Sequence, residues 1–288
     1  MSGLPEVSAN GSNEPIIESK RGRSNWPIML VAVIFVVVTF LTWHGTWFGR
    51  RLSDDELSEY LSEDKNARHV QQSLWQLGER IVEGDISVKR WYPRLVELGK
   101  SPVTEIRQMD AMVMGQDNSS TEFHVALKSL LADSEPIVRR NAALSLIRFG
   151  DESGHDEIVS ILQPFVINAP KSGSVDSVLS SGSKIKAGSL LVRITSDGTV
   201  DEVRSPLPGT ISEVFASEGN IIDRGSKLLT VRPDTESVWE ALRGLYLIGR
   251  SSDLEAVEGY VDGDPDMPAR IKEQAKNTVK AIRDKNKP

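Results

Sequence analysis

The chain has 288 residues, with 34 basic and 41 acidic side chains for a net charge of -7, and a mean hydropathy of -0.26. That length can bury one large or two modest cores, and the hydropathy excludes a polytopic membrane protein. The acidic balance lacks the clustered Lys and Arg that phosphate contacts need, so no nucleic-acid partner is expected. Cysteine is absent, which removes disulfides, thiolate metal sites and Cys nucleophiles together.

Residues 1–25 are rich in Ser, Gly, Asn and Glu and offer little apolar surface to offset ordering entropy, so they are predicted to be a disordered tail. From Ser24 to Gly49 no side chain carries a formal charge, and the centre from Pro27 to Leu41 is almost unbroken apolar sequence. This predicts a single transmembrane helix over residues 26–48, with Trp26 on one side and Trp43 and Trp47 on the other at headgroup depth. Lys20, Arg21 and Arg23 precede the run, whereas Arg50 and Arg51 follow it and are soon met by acids. The expected location is therefore the inner (plasma) membrane, with a cytosolic N-terminus, periplasmic C-terminal domains and lipid contact through one helix.

After the apolar run the spacing is helical and repeats. Phe123, Ala126, Leu127, Leu130 and Leu131 form one apolar stripe, Asp133-Ser134-Glu135-Pro136 breaks it, and Val138, Ala142, Ala143, Leu144, Leu146 and Ile147 form the next, closed by Gly150-Asp151. Weaker copies occupy Leu57 to Gly78, Leu95 to Asp117, Trp239 to Gly249 and Asp253 to Ile282. The leucine run, D-x-x-P, V-R-x-x-A-A and closing G-D resemble a HEAT repeat of the PBS-lyase-like kind. Such helix pairs bury their faces only by stacking, which implies an α-solenoid over residues 52–163, completed by 234–284.

Between those stretches the periodicity changes to short Val, Ile and Leu runs separated by Gly, Pro and Ser. The segment repeats itself: Ala169-Pro170-Lys171-Ser172-Gly173 recurs as Ser205-Pro206-Leu207-Pro208-Gly209. Gly182, Ile185, Gly188, Leu191 and Ile194 likewise recur as Gly219, Ile222, Gly225, Leu228 and Val231. Two half-units of four short strands each are predicted over residues 164–233. This pattern resembles the biotinyl/lipoyl-like barrel-sandwich hybrid, which is also present in periplasmic adaptor subunits of pumps. The expected fold class is thus mainly α: a single transmembrane helix and a HEAT-like α-solenoid, with an all-β biotinyl/lipoyl-like barrel-sandwich hybrid inserted between helices Asp156 to Leu162 and Glu236 to Ile248.

The resemblance implies a carrier lysine on the hairpin joining the halves. Here that hairpin reads Ile194-Thr195-Ser196-Asp197-Gly198-Thr199-Val200, and the matching position is Gly198, so no cofactor is expected. Lys184, Lys186 and Lys227 lie in other turns, where a tethered arm would not project from the tip. His44, His69, His124 and His155 have no metal-ligand spacing, and no phosphate loop or nucleophile elbow appears. The expectation is therefore no metal and no enzymatic activity.

The function expected from these observations is a membrane-anchored, non-catalytic scaffold or accessory subunit that binds other protein subunits of a membrane complex. Candidate partner contacts are Arg90, Trp91, Tyr92, Arg139 and Arg140. The alternatives are an adaptor subunit of a transporter or efflux system, and a lipoyl or biotin carrier, which Gly198 disfavours.

Overall fold

The computed structural model describes residues 26–45, 50–63, 66–263 and 267–285, apart from the side chains of 26–28 and 40–45. The chain divides into two units, residues 1–51 and 52–288.

In the first unit, helix α1 spans Trp26–Gly45. Among the described residues no helix is long and apolar enough to cross a membrane. The spanning helix expected over 26–48 is thereby corrected. The inner-membrane location and its topology, which depended on that helix, are withdrawn with it.

The second unit holds ten helices among the described residues, in five consecutive pairs. They are α2 (Asp54–Ser62) with α3 (Ala67–Val82), α4 (Tyr92–Leu98) with α5 (Thr104–Met114), α6 (Thr121–Leu130) with α7 (Pro136–Arg148), α8 (His155–Ile161) with α9 (Thr235–Ile248), and α10 (Leu254–Asp262) with α11 (Ala269–Lys285). Local sequence sets where several begin. Ser53 and Glu56 close a capping box on α2, Ser120 accepts from the Phe123 N–H at the start of α6, Asp234 accepts from the Ser237 N–H at the start of α9, and Pro136 occupies the first turn of α7.

The second helices of successive pairs pack in a row, α3 on α5, α5 on α7, α7 on α9 and α9 on α11. Close approach is written into the sequence: a Cβ on Gly115 would lie 2.6 Å from the Ser145 Cβ, and the Ser145 hydroxyl donates to the Ala111 carbonyl at 2.8 Å. One apolar core runs through Leu57, Leu74, Leu95, Ile106, Phe123 and Leu146. A second joins Ile158 and Ile161 of α8 to Val238, Leu242 and Leu245 of α9 and to Ile271 and Ile282 of α11.

Between α8 and α9 lie eight strands: β1 (Phe165–Asn168), β2 (Gly173–Val178), β3 (Lys184–Ile185), β4 (Leu190–Ser196), β5 (Thr199–Arg204), β6 (Gly209–Val214), β7 (Ile221–Ile222) and β8 (Lys227–Pro233). They form two four-stranded sheets, ordered β1-β8-β6-β3 and β5-β4-β2-β7. Moving about 36 residues along the chain turns the first order into the second, so the two sequence half-units exchange strands between the sheets.

Hydrogen bonds repeat with the same shift. The Ala169 N–H donates to Ser226 O and Gly225 N–H to Ala169 O, both at 2.8 Å; the Ser205 N–H donates to Ser189 O at 2.8 Å and Gly188 N–H to Ser205 O at 2.7 Å. Gly173 and Gly209 are also equivalent. A Cβ would fall 2.5 Å from Thr195 O in the first and 2.2 Å from Arg232 O in the second, so only glycine fits where each strand crosses its neighbour. Val175, Ile194, Ile211 and Val231 fill the space between the sheets.

Candidate functional site

The hairpin joining the two halves is the natural place to look for chemistry. Strands β4 and β5 pair antiparallel up to Ser196 opposite Thr199, leaving Asp197 and Gly198 as a two-residue turn with φ of 51° and 77°. Positive φ at both central positions suits the right-handed twist of a hairpin, and Asp-Gly is among the least strained pairs that adopt it. The shift relating the halves carries this hairpin onto the joint between β8 and β1, where the β region meets α8 and α9. The tip therefore lies at the opposite pole from the helices.

Nothing lies within 4 Å of the Cβ position at Gly198, so the tip is open. Just behind it Lys171 is ion-paired with Asp201, and its Nζ donates to Thr199 Oγ1 at 3.5 Å. On the outer face of the hairpin Glu202 pairs with Arg204 and Arg193, and the Arg204 guanidinium beside it holds the Glu202 carboxyl below the usual carboxylate range.

Amide attachment of biotin or lipoate needs an amine at that tip. Asp197 and Gly198 supply none, the Lys171 amine behind the tip is held in its ion pair with Asp201, and Lys184 lies on β3 and Lys227 at the start of β8. The residues do not fit the prosthetic group.

Residues 164–231 match the family model described as biotin-requiring enzyme. They are a biotinyl/lipoyl-type domain. No curated protein matches the chain. Among solved structures it is similar to one titled as the structure and function of a single-chain, multi-domain long-chain acyl-CoA carboxylase. Identity is 18% and the TM-score 0.24, over 43% of this chain and 14% of that one. So low a likeness carries no argument about what this chain does.

The residues singled out in the helical part are held in two separate places. Arg90 is half exposed, ion-paired with Asp54, and its guanidinium lies 4.1 Å from the centre of the Trp91 ring. Trp91 is buried, with Nε1 donating to Ser58 Oγ at 3.0 Å. Tyr92 is buried against Phe123, ring centres 4.2 Å apart, and its hydroxyl donates to Asp117 Oδ2 at 2.7 Å. Burial and that bond to a carboxylate push the Tyr92 phenol well above its usual range.

On α7, Arg139 and Arg140 share Glu157, at 3.2 and 3.9 Å. Arg139 also donates to the Asp133 and Ser134 carbonyls at 2.9 and 3.1 Å. Arg140 is 6% exposed and reaches the Ser160 carbonyl at 3.5 Å; its burial lowers the guanidinium pKa. Of these five residues, Trp91, Tyr92 and Arg140 serve the interior. The side chains of Trp26 and Trp43, and Trp47 altogether, lie outside the described residues.

Two polar groups carried no local sequence signal. His155 and Asp253 are 7% and 4% exposed at the side chain and lie 2.8 Å apart, although the whole β region comes between them in the sequence. Asp110 is fully buried in α5, and neither carboxylate oxygen has a hydrogen-bond partner among the described residues. The internal repeat could have exposed it. A shift of 32 residues pairs Ile106, Arg107, Ala111 and Met114 with Val138, Arg139, Ala143 and Leu146, and sets Asp110 against Ala142. A charged residue at a small buried position is the anomaly.

Proposed function

We propose that this chain is a non-catalytic accessory protein. It binds protein partners through a helical array of HEAT type and a biotinyl/lipoyl-type domain that bears no prosthetic group. The observation that carries this reading is the hairpin tip, where Asp197-Gly198 stands in place of the attachment lysine. Paired second helices packed in a row support the array: repeat architectures of this kind present extended surfaces to partners. The domain's two chain connections lead directly into α8 and α9, which share one apolar core. This mounting suits a rigid projecting module better than a mobile carrier arm.

The test is the intact mass of the chain recovered from its own cells, together with cross-linking from the hairpin. An unmodified mass and reproducible cross-links from a photoreactive group at Gly198 to one partner protein are expected. A mass increment of one lipoyl or biotinyl group would overturn the reading in favour of a carrier.

A further inference from the structure

A groove of about 540 Å³ runs between α4 and α6, with Val96, Gly99, Val125, Ala126 and Leu130 in its walls and Lys100 and Glu122 among its polar residues. Its volume falls within the range of small-ligand sites. Val125 is 63% exposed there, an aliphatic side chain left facing solvent.

Asp110 lies immediately behind this wall. A Cβ on Gly99 would be 3.5 Å from Asp110 Oδ2 and 3.8 Å from Leu130 Cδ1, and both Gly99 and Leu130 face the groove. The carboxyl is thus separated from the groove at the one wall residue that has no side chain. Burial without a partner pushes its pKa well above the usual carboxylate range. The fold does not require the carboxyl, because the repeat puts the fully buried Ala142 at the same position of α7. A desolvated acid held without a hydrogen bond is unfavourable and calls for a donor from elsewhere.

We propose that the α4–α6 groove binds a primary ammonium group on a short aliphatic stem, with Asp110 as its counter-ion. The stem lies along Val96, Val125 and Ala126, and the ammonium passes between Gly99 and Leu130 toward Asp110. The gap at Gly99 is about one methyl wide, which admits a compact ammonium and excludes a planar guanidinium. The same chemistry is offered by a free alkylamine and by a lysine side chain of a partner. The site stands apart from the reading of the hairpin.

The test uses the full chain with ¹³C-labelled methyl and carboxyl groups, titrated with n-butylammonium and, in parallel, with Nα-acetyl-lysine methylamide. Saturable shifts of the Val96, Val125 and Leu130 methyls and of the Asp110 carboxyl carbon are expected. Asp110→Asn and Gly99→Ala should each weaken binding about tenfold or more, since one removes the counter-ion and the other fills the gap. n-Butanol, which matches the size without the charge, should bind weaker by a similar factor. Binding of butylammonium alone assigns the site to free amines, and equal binding of the lysine derivative assigns it to a partner side chain. Equal shifts in wild type and Asp110→Asn would overturn the proposal. So would a change in the Asp110 signal on Lys100→Gln without ligand, which would make the chain's own lysine the occupant.

Discussion

His155 Nε2 and Asp253 Oδ2 lie 2.8 Å apart although 98 residues separate them, and the intervening chain includes the whole β region. The pair ties the start of α8 to the turn that opens α10. Asp253 also accepts the Arg250 N–H at 2.7 Å, and His155 Nδ1 is 3.0 Å from Asp156. Helices on either side of a long excursion are thus fastened by a buried polar contact as well as by shared apolar packing.

Removing that contact is expected to cost stability without changing the fold. His155→Ala strips one partner from a buried carboxylate, which by the usual cost of orphaning such a group is about 1–3 kcal/mol. Urea unfolding should show a lower midpoint with an unchanged slope. A midpoint equal to wild type would show that the contact contributes nothing.

The two crossing glycines should behave alike, and unlike the tip. Gly173→Ala and Gly209→Ala place a Cβ within 2.5 and 2.2 Å of a backbone oxygen, and each should destabilise the β region by about 3 kcal/mol or more. Gly198→Ala meets open space and pays only for a positive φ, about 1 kcal/mol. Thermal melts of the three variants should keep that order.

Acid should unfold the helical array through Asp133. Its carboxylate receives two bonds from Arg107, at 2.7 and 2.9 Å, with side chains 8% and 12% exposed. The Arg107 guanidinium holds the Asp133 carboxyl below its usual range. As pH falls the unfolded chain takes up this proton first. The contribution is therefore complete above about pH 4, the unfolded value, and is lost as pH drops through the lower folded value. Asp133→Ala, which strands a buried guanidinium, is expected to cost about 3–5 kcal/mol at neutral pH and to flatten this acid limb.

Asp110 has the opposite sign. Its raised folded pKa means that the folded chain keeps a proton the unfolded chain releases. Its contribution is present below about pH 4 and is lost as pH climbs through the raised value. Asp110→Ala, the residue the repeat has at 142, should therefore stabilise the chain at pH 7, and the gain should shrink toward pH 4. A loss of stability at neutral pH would contradict an unpartnered acid.

Gly198→Lys should convert the tip into an acceptor. The position is open and the hairpin tolerates positive φ. Incubated with a lipoate-protein ligase, the variant is expected to gain one group by mass while the wild type gains none. Modification of the wild type would point to a lysine elsewhere on the module.

Much of this was legible in the sequence where a single residue type answers a single geometric demand. The Gly182, Gly188, Gly219 and Gly225 turns all have positive φ between 81° and 85°, so their spacing carries the two-fold repeat directly. Asp197-Gly198 announces its own turn for the same reason. Burial that depends on distant helices was not legible. Trp91 and Tyr92 read from sequence equally as core or as partner contacts beside Arg90, and their burial rests on α2 and α6, which supply Ser58 and Phe123. Asp110 is sealed only because α4 and α6 meet over α5, and His155 finds Asp253 only once the β region has closed on itself. The apolar run after residue 25 misled for a different reason. Hydropathy counts residues along the chain, whereas crossing a bilayer demands length and apolarity together in one helix, and no described helix combines them.

Strands β1 and β8 pair antiparallel with Phe165 opposite Val231, so the β region leaves and rejoins the helices through adjacent strands. A pull on the far turn is then delivered to α8 and α9 together through two neighbouring cords. Load at the tip therefore enters the array at two helices that share one apolar core, not through a single hinge.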